Sequence, residues 1–102
     1  MGEWRIEFSK EVKTWYAGLG VKARAQADRT LDLLEDRGPA LGMPHSKALS
    51  DGLRELRFTC CDHTQRITYY FDSSRAAICL TAFVKQKNNE RHEVQRGLRA
   101  MW

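Results

Sequence analysis

The sequence predicts an α+β fold in which an antiparallel sheet carries a helical hairpin on one face and a C-terminal helix follows. Three observations predict it. The runs Leu53 to Thr59, Arg66 to Phe71 and Ala76 to Val84 alternate or are rich in β-branched and aromatic residues, and they are joined at hairpin distance. Two stretches before them place apolar residues at helical spacing, and a third such stretch comes after. The resulting order is β-α-α-β-β-β-α within 102 residues, the length of a single domain.

Each element follows from local chemistry. Trp4-Arg5-Ile6-Glu7-Phe8 alternates apolar and charged residues, as a short strand with one buried face does. Ser9 is placed to cap a helix from Lys10 to about Ala17, whose apolar stripe is Val12, Trp15 and Tyr16. Gly18-Leu19-Gly20 breaks it. A second helix spans about Val21 to Arg37, with Ala23, Ala27, Leu31 and Leu34 on its buried side. Its charged residues, Arg29 and Asp32 among them, read as solvated, and Gly38-Pro39 ends it. Ala40 to Gly52 reads as a loop, rich in Gly, Pro, Ser and Asp. Cys60 to Gln65 and Asp72 to Arg75 connect the three following strands. The last helix runs from about Asn89 to Met101 on an apolar side of Val94, Leu98 and Met101.

Composition bounds the function. Apolar residues make up 42% of the chain, enough for a core and too many for a disordered segment. The 17 Lys and Arg against 13 Asp and Glu leave a net charge of +4, which favours a polyanionic partner such as nucleic acid. No apolar run approaches the roughly 18 residues of a membrane span, and Met1 to Phe8 lacks a signal-peptide pattern, so no membrane role is expected. The three cysteines, Cys60 and Cys61 side by side and Cys79 in an apolar run, are no disulfide framework and fit a reducing cytoplasm. Cys60-Cys61-Asp62-His63 has metal-binding residue types, yet no second ligand pair at zinc spacing accompanies it, so neither metal nor cofactor is expected.

Alternation separates the two faces of the sheet. Leu56 and Phe58, then Ile67, Tyr69 and Phe71, then Ile78, Leu80, Ala82 and Val84 form the better core for the helical hairpin. The opposite face then holds Arg57, Arg66, Tyr70, Phe83 and Lys85. Guanidinium, ammonium and aromatic groups together suit RNA, because cations neutralise phosphates and rings stack on splayed bases. Arg66 has a second reading, a cross-strand pair with Glu55.

The segment from Lys47 to Phe58, with the frame K-x-L-x-D-G-L-x-E-L-R, resembles the hallmark of the RelE/HigB toxins, and their phage-derived branch in particular. Gln65 to Phe71 is similar to the family's R-[IV]-x-[YF] strand, Thr81 to Lys87 to its F-x-K strand end, and Asn89 to Val94 to the opening of its last helix. Asn88-Asn89 stand where many relatives have Thr-Pro. The resemblance implies one RelE-like domain acting as the toxin of a type II toxin–antitoxin system. It implies metal-independent cleavage of mRNA in the ribosomal A site, and neutralisation by a cognate antitoxin. That antitoxin is expected to be a helix-turn-helix protein encoded alongside, through which alone the toxin would meet operator DNA. The resemblance gives Arg57 the charge of the transition state, and Lys47 and Lys85 substrate binding or proton transfer. Arg66, Tyr70, Lys87, Arg91 and His92 are the expected RNA contacts. Two other functions fit the same fold: a ParE-type toxin that poisons DNA gyrase, and a regulatory relative without activity.

Overall fold

The computed structural model describes residues 3–85 and 90–101. Their order is β1 (Arg5–Phe8), α1 (Lys10–Ala17), α2 (Val21–Arg37), a single 3-10 turn (Gly38–Ala40), β2 (Ser46–Ser50), β3 (Leu53–Cys60), β4 (His63–Phe71), β5 (Ala76–Val84) and α3 (Glu90–Met101). The fold class is the α+β arrangement expected. The expected start of the last helix at Asn89 lies outside the described residues.

Five strands form one sheet in the order β1-β5-β4-β3-β2. β1 runs parallel to β5, and the other neighbours are antiparallel. The strand missing from the sequence reading is β2. Ser46 to Ser50 lies inside the stretch taken for a loop and pairs with Leu53 to Leu56 across the Asp51-Gly52 turn. Both turn residues have positive φ (53° and 88°), the requirement of a tight hairpin turn that Asp and Gly meet at low cost. Five residues with one apolar side chain larger than alanine carry no period-2 signal. Pairing with β3, and a buried Ser46 hydroxyl 2.5 Å from the Tyr69 hydroxyl, hold them in place instead.

Helices α1 and α2 cover one face. Ser9 caps α1 as expected, its Oγ accepting from the Val12 N–H at 3.2 Å and donating to the Leu80 carbonyl at 2.7 Å, which also ties the helix to β5. Gly38 ends α2 at φ 53° under the Trp4 indole, where a Cβ would lie 2.2 Å from Nε1. Only glycine fits both the backbone and the space. The core of this layer is Val12, Leu31, Leu34, Leu41, Leu56, Ile67, Tyr69, Ala77 and Cys79. Ala23 is only half-buried, and Thr30 takes part of the buried side of α2.

Two face assignments change. A bulge in β5 lets Tyr69 face Cys79 while Thr68 faces Thr81, so Leu80 is the extra residue. Before the bulge Ala77 and Cys79 point to the helical hairpin, in place of the Ile78 expected there; after it Ala82 and Val84 return to that face. The second change concerns the face left free by the hairpin. Helix α3 lies on it, with Gly97 against Leu53 and Thr68, so this face is partly closed. Val94, Leu98 and Met101 are half-buried along that contact. Arg96 fastens α3 to α1 through Glu11, at 2.6 and 2.7 Å, while Glu11 also accepts from the Ala82 N–H at 2.9 Å. The bonds to Glu11, then to Glu93, hold the Arg96 guanidinium above its ordinary pKa.

Candidate functional site

The sheet edge opens where β2 stops. Ser46 opposite Leu56 is the last paired position on that side, and the Arg57 N–H still bonds the His45 carbonyl at 2.8 Å. Phe58 and Thr59 then continue β3 with no β2 residue opposite them. Helix α2 passes beside this bare edge and leaves a groove of about 400 Å³. Gln26, Arg29, Thr30 and Leu33 of α2 form one wall, Pro44 and His45 close one end, and Arg57, Phe58, Thr59 and Thr64 form the floor.

Arg57 is half-buried in this groove, its Nη1 3.7 Å from the Met43 sulfur. Among the described residues no carboxylate pairs with it. Its charge therefore has no carboxylate opposite to cancel it, which is what an anion-binding position needs. Arg29 and His45 line the same space and add a cation and an imidazole. The groove has room for a phosphate and its flanking sugars beside the edge of β3 that β2 leaves unpaired.

Arg66 is placed differently. It pairs with Arg57 across the strands, yet it is 2% exposed and its Nη1 donates to Glu55 Oε1 at 2.5 Å. Glu55 is fully buried as well. The pair is held by one contact, and Glu55 Oε2 and Arg66 Nε are left without partners among the described residues. Arg66 is thus the buried counter-ion of Glu55. This is the second reading of Arg66, the cross-strand pair with Glu55, and it leaves the guanidinium neither exposed nor uncompensated.

The other expected residues scatter around this centre. Lys85 is exposed just after β5, and its N–H bonds the carbonyl of Thr64, a residue of the groove floor. Lys47 lies on β2 opposite Glu55 and forms an exposed ion pair with Glu90 at the start of α3, at 3.5 Å. Arg91 and His92 are exposed in the same first turn of α3. Tyr70 is not brought to the groove. It sits four residues along β4 from Arg66, roughly 13 Å at the usual rise per residue, beside the Leu53 and Thr68 contacts of α3. Lys87 lies outside the described residues. Sequence reasoning missed Gln26 and Arg29, because a charged residue on the polar stripe of a helix looks the same whether it faces water or a groove. His45 had no signal beyond its residue type.

The chain matches the family model described as "Phage derived protein Gp49-like (DUF891)" over residues 14–101. A protein of Mycobacterium tuberculosis (strain ATCC 25618 / H37Rv), named as a candidate toxin, HigB3, is 34% identical over 85 residues, covering 79% of this chain and 73% of the relative. The matched region begins inside α1 and takes in the groove, the Lys47 to Arg57 segment and α3.

Proposed function

The chain belongs to the Gp49-like family of phage-derived proteins and is HigB-like, and on that premise we propose that it is the toxin of a toxin–antitoxin pair, a ribosome-dependent endoribonuclease acting on mRNA. The observation that supports this most is Arg57. The arginine of the L-x-E-L-R block sits half-buried, without a carboxylate partner among the described residues, in a groove at a bare strand edge.

In this reading the scissile phosphate rests on the Arg57 guanidinium. The ribose 2′-oxygen attacks phosphorus, the bond to the 5′-oxygen breaks, and the products carry a 2′,3′-cyclic phosphate and a 5′-hydroxyl. Arg57 holds the charge that accumulates on the phosphorane oxygens, where a preorganised donor acts most strongly. Lys85 and Lys47 bind the flanking phosphates or move the protons, with Arg91 and His92 at the opening of α3 as further RNA contacts. Lys47 must first leave Glu90, an exposed pair worth at most about 1 kcal/mol and so easily exchanged for phosphate. The antitoxin is the expected partner, and covering the basic groove would silence it.

The test is expression from a tight promoter with genome-wide mapping of new 5′ ends. Cuts confined to translated frames, reduced roughly a hundred- to a thousandfold in Arg57→Ala, are the expected result. Growth arrest without such cuts, accompanied by inhibition of DNA decatenation, would replace this reading with a gyrase poison. Cleavage retained in Arg57→Ala would remove the central assignment.

A further inference from the structure

The tip of the β3–β4 hairpin holds a feature that RNA cleavage does not use. Neighbouring residues of a strand point to opposite faces, so adjacent cysteines there would hold their thiols apart. Here the chain turns at that point. Cys60 and His63 close the hairpin, and Cys61 and Asp62 are the two turn residues, with φ of 56° and 67°. The left-handed conformation of Cys61 swings its side chain back to the side of Cys60. The two sulfurs end side by side, as free thiols in direct contact.

Two further observations point the same way. A cysteine in the left-handed region costs about 1–2 kcal/mol, whereas Asn or Gly would occupy that position more cheaply. The two-residue turn demands positive φ at both positions, as at Asp51-Gly52, so the cost lies in the choice of cysteine there. Cys61 is exposed and Cys60 half-buried, so both sulfurs meet solvent, whereas Cys79 is buried and its thiol is pushed up to about 12 by that burial. Among the described residues no third His, Cys, Asp or Glu joins the two sulfurs in a metal-holding group. That donor set does not fit tetrahedral zinc, which takes four protein ligands in structural sites. It fits an acceptor that needs two sulfurs.

We propose that Cys60 and Cys61 form a dithiol site for a trivalent thiophile, of which trivalent arsenicals are the matching class. Two S–H bonds break, two As–S bonds form, and the arsenic oxygen leaves with both protons as water. No electrons are transferred. The Cys60 thiol is held above its ordinary pKa, first by its contact with Cys61. The site adjoins the groove, because Thr59 and Thr64, the pair next to the tip, form part of its floor.

The test uses the reduced, folded chain with phenylarsine oxide as the probe, read by intact mass, with no RNA or ribosome present. One adduct per chain is expected, resistant to excess glutathione and removed by a small dithiol. Cys79→Ser should keep it. Cys60→Ser should lose it, and so should Cys61→Asn, which suits the turn better than cysteine and so separates loss of the sulfur from loss of the fold. An adduct stripped by glutathione, or one that survives in Cys61→Asn, would overturn the proposal and leave the RNase reading untouched.

Discussion

Removing Arg66 tests whether its role is to neutralise Glu55 or to meet RNA. Both side chains are almost wholly buried, and a single contact of 2.5 Å holds them, with Glu55 Oε2 and Arg66 Nε unpartnered among the described residues. In Arg66→Met the carboxylate of Glu55 stays in the interior with no counter-charge. Breaking a buried pair in this way costs about 3–5 kcal/mol, a large part of the roughly 5–15 kcal/mol that holds a domain of this kind. With a urea slope of roughly 1–3 kcal/mol per molar, the unfolding midpoint should fall by about 1–5 M. Replacing both residues, Glu55→Leu with Arg66→Met, removes the orphaned charge together with two unpartnered polar atoms. Such double replacements are often neutral or stabilising by about 1–4 kcal/mol. The double variant should therefore unfold near or above the parent midpoint, as read by tryptophan fluorescence in urea at neutral pH. An Arg66→Met chain as stable as the parent would refute the reasoning, as would a double variant no better than the single one. The same double variant carries a functional readout: RNA cleavage should persist in it. A stable double variant that no longer cleaves would return Arg66 to the RNA contacts.

Two other predictions follow from the packing and the turns. Gly97 of α3 rests on the sheet, and a Cβ there would lie 2.9 Å from Leu53 Cδ2 and 3.1 Å from Thr68 Oγ1, the Thr68 hydroxyl being already bonded to Thr81. Gly97→Ala gains about 1 kcal/mol of helix propensity but overpacks by about 1–3 kcal/mol, so thermal unfolding should show no gain or a net loss; a clearly stabilised variant would mean that α3 is free to shift. Asp72 accepts from the Ser74 hydroxyl at 2.7 Å and from the N–H groups of Ser74 and Ala76, and these bonds, the Ser74 hydroxyl first, hold its carboxyl below its ordinary value of 3.8. A depressed carboxyl contributes stability in full above the ordinary value and loses it as pH falls through the lower native one. Asp72→Asn should thus be less stable than the parent at neutral pH, with the gap closing in acid below that value; a gap independent of pH would refute the assignment.

Much of the fold is legible in the sequence because local rules and tertiary packing agree there. The Ser9 cap, the glycine breaks at Gly18 and Gly38 and the alternation of β3 and β4 each have a cause within a few residues, and the structure uses each as expected. The basic character of the chain, the Arg57 segment and its resemblance to a toxin family were legible in the same way. Other features depended on residues far apart in the chain. Strand β2 exists because β3 offers it an edge, and the β5 bulge at Leu80 reverses which of Ile78 and Cys79 is core. Arg57 and Arg66 look alike in sequence, two arginines of neighbouring strands on one face, but the buried Glu55 carboxylate neutralises Arg66 while the end of β2 opens a groove beside Arg57. Residue type and periodicity fix which side of an element a charge takes. Whether that charge is cancelled or available is decided only by what the rest of the chain brings against it, since burial and counter-charges are properties of the assembled structure.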